Sequence, residues 1–179
     1  MNRVLIIVAG FAASMVGVFG VVQVVKAADR PPLTSSHIER IKDNCIDAQT
    51  SLIQLHASDG LLRVNRGQVY ESISTRLMAP LNSRLVLNRV DTANLQPIAI
   101  KYEQQLATFR ATYRDYEVAM SKALADNCIR NPTNFYYDLG DARTKRQNTH
   151  KTVKALQKTI RDYGTEFDSF AQSYMEKLP

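Results

Sequence analysis

The side chains able to do covalent, acid–base or metal chemistry are few here, and they are scattered. His37, His56 and His150 make no HExxH or paired-histidine pattern. His56 and Asp59 stand one helical turn apart and could share a metal ion, but a solvated pair is the simpler account. Cys45 and Cys128 are too far apart in sequence for a zinc knuckle. No glycine-rich phosphate loop, nucleophile elbow or calcium loop is present. A catalytic site needs convergent groups in a pocket, so this inventory points away from an enzyme, with no catalytic residue, cofactor or metal expected.

Charge is the one chemical feature that clusters. Arg143, Lys145, Arg146, Lys151, Lys154, Lys158 and Arg161 follow one another with no acid between Asp141 and Asp162. Arg146, His150, Lys154 and Lys158 recur every four residues, so on a helix they form one strip. The chain carries a net charge of +6, which favours anionic partners. Arg143, Arg146, Lys151, Lys154, Lys158 and Arg161 are therefore the candidate polyanion-binding residues, for DNA or a wall polymer held through salt-sensitive contacts. The plainer account is a solvated face partly neutralised by acids on adjacent helices. Arg63 and Arg66 are expected at a similar height on a neighbouring helix.

The elements that carry these residues are read from periodicity. Val4 through Val25 is apolar apart from Ser14 and Gln23, and no charge interrupts it between Arg3 and Lys26. At helical rise that run spans roughly 33 Å, enough to cross a bilayer core. Residues 1–27 are accordingly expected to be a transmembrane signal-anchor. Val25-Lys26-Ala27 before Ala28 offers the alternative of a cleaved signal peptide and a secreted protein. Ala9, Ala13 and Gly17 read as small residues scattered in an apolar helix. Gly10-Phe11 is not a prepilin junction, since Met15 stands where pilins carry Glu. Pro31-Pro32 falls in a stiff linker, residues 28–35, and Ser35 or Ser36 with Glu39 supplies a capping box.

Residues 36–178 are expected to be a helical coiled-coil ectodomain. Ile38, Ile41, Cys45, Ala48, Leu52, Leu55, Asp59, Leu62, Arg66, Val69 and Ile73 alternate steps of three and four, a heptad seam whose phase survives Gly60 and Gly67. One continuous helix is expected there, kinked or restarted at Pro80. Asp91 or Asn94 caps a second helix, whose stripe of Leu95, Ile98, Tyr102, Leu106, Phe109, Tyr113, Tyr116, Met120 and Leu124 reads as core. Pro132 opens a third, with a seam of Phe135, Leu139, Ala142, Arg146, Thr149, Val153, Leu156, Ile160, Tyr163, Phe167, Phe170 and Tyr174. No strand pattern follows Val25. The fold class is thus all-α: an N-terminal transmembrane helix plus an elongated antiparallel three-helix coiled-coil bundle.

The cysteines test that topology. An even pair in an exported chain often forms one bridge. With a hairpin apex near Asp91, the path back to Cys45 is about nine residues longer than the path on to Cys128, roughly 13 Å along the axis. A disulfide needs Cα atoms about 4.4–6.8 Å apart. A Cys45–Cys128 bridge therefore requires the kink at Pro80 and an unwound Cys128 segment to absorb the difference. It would also exclude a first helix folded back at Gly60.

Three stretches, Leu61 to Ser72, Leu77 to Arg84 and Ala142 to Arg146, resemble a group of uncharacterised exported or membrane-anchored helical proteins of the bacterial candidate phyla radiation. The resemblance would cover most of residues 40 to 175. It implies an envelope location and nothing about mechanism. The reading that results is a single-pass cell-membrane protein with its body outside, a structural or protein-interaction spacer with an unidentified protein partner and scope for self-association. A polyanion-binding surface module and a sensor-type ectodomain are the alternatives, the latter weakened by the lack of a cytoplasmic output domain in this sequence.

Overall fold

The computed structural model describes residues 32–92 and 94–176, where all regular structure is helical. Five α-helices occur among them: α1 (Ser35–Asp43), α2 (Cys45–Ser72), α3 (Ala79–Leu87), α4 (Leu95–Ala125) and α5 (Pro132–Met175). A π-helical segment, Ile73–Met78, joins α2 to α3. The apolar segment expected to cross a membrane lies outside the described residues, with its cleavage site and the start of the linker. Among the described residues no helix is long and apolar enough to cross a membrane.

Three arms make the bundle, and cross-links give their directions. The first arm is α1, α2, the π segment and α3 in succession. It runs antiparallel to α4: Gln49 donates to the Asp126 carbonyl at 3.0 Å, Tyr116 to the Asp59 carboxylate at 2.7 Å, and Tyr102 to the Tyr70 carbonyl at 2.9 Å. α4 and α5 are antiparallel as well, tied at Lys122–Asp138 and Thr112–Thr152. The first arm and α5 consequently run parallel.

The expected continuous first helix is interrupted twice. Asn44, at φ −100° and ψ 11°, separates α1 from α2, although its N–H still reaches the Arg40 carbonyl and Ala48 N–H reaches its own. The second irregularity is the π segment, directly before Pro80 where a kink or restart was expected, and there Ala79 N–H bonds back to the Ser74 carbonyl. Pro80 follows directly and supplies no N–H, so the ladder widens ahead of it rather than breaking. α2 does run unbroken through Gly60 and Gly67. The cap of α1 is Thr34, accepting from His37 N–H at 3.4 Å, rather than Ser35 or Ser36.

The expected heptad seam holds from Ile38 to Asp59, lapses at Leu62, Arg66 and Val69, and returns at Ile73, which packs against the core. Leu62 and Val69 are 54% and 52% exposed, and Arg66 is exposed too, while Gly67, Tyr70 and Ser74 turn inward. A straight α-helix drifts about 20° per heptad, so a strict seven-residue stripe slides off the buried face unless the helices supercoil. Beyond that stretch Ser74 and Met78, both in the π-helical segment, are buried. On α4 the aromatic stripe is core: Tyr102, Leu106, Phe109, Tyr116 and Met120 are buried. On α5, Phe135, Ala142, Leu156 and Tyr163 are buried, whereas Phe167 and Tyr174 are exposed. The core falls into three clusters along the bundle, around Tyr102 and Leu156, around Tyr116 and Ala142, and around the cysteines and Phe135.

Cys45 and Cys128 are joined, with Cα atoms 5.6 Å apart. Cys128 lies outside helix, in the turn between α4 and α5, as the bridge was expected to require, and the connection between α3 and α4 takes up further length. The links from Tyr70–Tyr102 down to the cysteines keep one register. At the end of α3, Arg89 N–H bonds Val86 O and Val90 N–H bonds Leu85 O, with Arg89 at φ 57°. That is a Schellman turn. It sends the chain back before Thr92 buries itself and α4 begins at Leu95.

Candidate functional site

The first arm and α5 touch unevenly. Asp59 and Arg146 tie them at one level, and Asn82 and Tyr163 tie them nearer the α3 end at 3.2 Å. Between these ties the sides of α2 and α5 stand apart, and a lateral groove of about 380 Å³ opens with α4 as its floor. Leu62, Arg63 and Arg66 come from α2, Phe109 and Tyr113 from α4, and His150, Val153 and Lys154 from α5. The seam residues Leu62 and Arg66, displaced from the buried face, line this open space.

One end of the groove is built around a carboxylate. Arg146 holds Asp59 with two parallel contacts, Nε to Oδ2 at 2.6 Å and Nη2 to Oδ1 at 2.9 Å, and Tyr116 adds its hydroxyl. Burial disfavours the Asp59 charge, but the hydrogen bonds from Arg146 and Tyr116 outweigh it and hold the carboxyl below its ordinary range. The same contact holds the Arg146 guanidinium charged. Burial, and then Asp59, push the Tyr116 hydroxyl up, so it stays a donor. This unit satisfies itself and leaves Asp59 unable to neutralise other cations.

The remaining charges on the wall are positive: Arg63, Arg66 and Lys154, with His150 beside them. Arg63 lies over the Tyr113 ring, 5.2 Å from its centroid, a cation–π contact that leaves its N–H groups available. Tyr70 and Phe109 meet edge to face at 5.7 Å beneath. Tyr70 is buried, and its hydroxyl has no hydrogen-bond partner.

The sequence-derived polyanion strip is divided by the fold. Arg146 and Lys154 line the groove, together with Arg63 and Arg66 at the height expected of them. Arg143, Lys151, Lys158 and Arg161 are exposed on α5 and do not line it. Lys158 is engaged with Asp162 one turn on, at 2.7 Å. The His56–Asp59 pair is also divided: His56 Nε2 meets Glu117 at 2.8 Å while Asp59 faces Arg146. Among the described residues no three His, Cys, Asp or Glu side chains gather as a metal site would require. What the sequence did not disclose is that the tyrosines of the floor, read there as core, form the base of an open cleft. Comparison with protein-family models, curated proteins and solved structures found no match.

Proposed function

We propose that this chain is a membrane-tethered extracytoplasmic module, a disulfide-closed helical bundle acting as a structural or protein-interaction spacer at the cell envelope. The observation that carries the reading is the Cys45–Cys128 link, which closes a separation of 83 residues. Such bridges persist in oxidising compartments and are rare in reducing ones. The apolar run from Val4 to Val25 supplies the tether in this reading. Function then lies in binding rather than catalysis, consistent with a self-satisfied Asp59–Arg146–Tyr116 unit that offers no free base.

Intact mass with and without reductant, on protein drawn from its native membrane fraction, tests the proposal. A full-length chain lighter than its reduced form by two thiol hydrogens is the expected result. Free thiols on a full-length chain would overturn the extracytoplasmic placement. A chain beginning at Ala28 would remove the tether and make this a secreted module.

A further inference from the structure

We propose that the lateral groove between α2 and α5 is a binding site for one small, water-soluble amphiphilic anion, with an apolar or aromatic body and a single carboxylate or phosphate head. The groove differs from the exposed cationic face of α5 because it combines shape, charge and an apolar floor. Its volume, about 380 Å³, sits at the low end of ordinary ligand pockets and matches one compact molecule rather than a two-chain lipid. Leu62, Tyr70, Phe109, Tyr113 and Val153 supply apolar contact for the body.

Charge fixes the ligand's sign. Arg66 and Lys154 reach the groove from opposite walls, and neither has an ion-pair partner among the described residues. Arg63 is held over Tyr113 at the floor's edge. The one lining carboxylate, Asp59, already takes two contacts from Arg146 and one from Tyr116. An anion entering between the walls therefore meets uncompensated positive charge above an apolar surface that weakens screening by water.

The test is titration of 2-naphthyl phosphate into the full chain in nonionic micelles, blanked against empty micelles. Two comparison ligands are 2-naphthol, which keeps the body, and inorganic phosphate, which keeps the head. One saturable site per chain is expected, with each comparison ligand binding at least about tenfold more weakly, a difference near 1.4 kcal/mol. Arg66→Glu and Lys154→Glu should each weaken naphthyl phosphate by about tenfold or more. Both positions are exposed, so folding should survive, and helical circular dichroism verifies this. Arg143→Glu, exposed on α5 but outside the groove, should leave binding unchanged. The proposal fails if no saturable site is found, if phosphate alone binds as well, or if both reversals leave affinity intact. It fails equally if sedimentation shows a dimer that Leu62→Glu dissociates, since a second copy would then be the occupant.

Discussion

Asp59 is the residue on which the middle of the bundle turns. It stands on the heptad seam just before the exposed positions Leu62, Arg66 and Val69, and it reaches both other arms at once, α5 through Arg146 and α4 through Tyr116. Replacing it by Ala would leave Arg146 half-buried without its partner and the Tyr116 hydroxyl without its acceptor. Because Arg146 remains partly open to water, the expected loss is about 1–3 kcal/mol rather than the larger value of a fully buried pair. Urea denaturation of Asp59→Ala against wild type measures it, and a double-mutant cycle with Arg146→Ala isolates the coupling. The pH dependence has a definite sign. The folded-state carboxyl is held below its ordinary value of 3.8, so its contribution is full above that pH and is lost as pH falls through the lowered value. Wild type should therefore lose stability relative to Asp59→Asn on acidification below about pH 4. A constant gap down to pH 2 would refute the assignment.

At the scale of elements, two positions go against local preference without visible compensation. Arg89 occupies the left-handed position of the Schellman turn that ends α3, where a side chain is strained and glycine is relaxed. Arg89→Gly is expected to raise stability by roughly 0.5–1 kcal/mol, the relief being offset in part by the greater freedom of the unfolded chain. Gly60 is the converse case. It lies inside α2, and a Cβ added there would sit 4.0 Å from the Tyr113 hydroxyl, an ordinary contact. Gly60→Ala should add roughly 0.5–1 kcal/mol through helix propensity, read from the melting transition. A loss would mean that the α2–α4 spacing is tighter than this contact indicates. The same elements show what the sequence made legible. The α4 stripe, Pro132 at the start of α5 and the unbroken passage through Gly60 were all readable, because each depends on local pattern or local chemistry. The lapse of the seam at Leu62, Arg66 and Val69 was not. Apolar residue types at Leu62 and Val69 satisfied the seven-residue template, but which face is buried depends on whether the helix underwinds, and that is decided by its neighbours. The cleft was illegible for the same reason. The basic strip could be read along α5, while the gap that gathers Arg66 and Lys154 exists only between helices.

For the whole molecule, the disulfide and the three clusters distribute stability unevenly along the bundle. The cluster around Tyr102 and Leu156 draws on all three arms and is the largest. At the opposite end the core is Cys45, Cys128 and Phe135 with a few half-buried neighbours, and α1 contributes no buried residue. There the cross-link substitutes for packing. By chain entropy a bridge over 83 residues is worth about 4.5 kcal/mol, and reduction should cost about 2–5 kcal/mol of global stability. The larger consequence is local. Once the bridge opens, the ties described for α1 and the first turns of α2 are Gln49–Asp126, His56–Glu117 and the half-buried apolar contacts of Ile41, Ala48 and Leu52. The end held by Tyr70, Met78 and Leu95 keeps its full core. Native-state hydrogen exchange with mass detection, with and without reductant, should show protection collapsing from Ser35 to about Leu52 and around Cys128. Exchange near Tyr102, Leu106 and Leu156 should change only by the global shift. A uniform loss along all three arms would mean that the bundle unfolds as one cooperative unit and that the bridge serves the whole chain rather than its weak end.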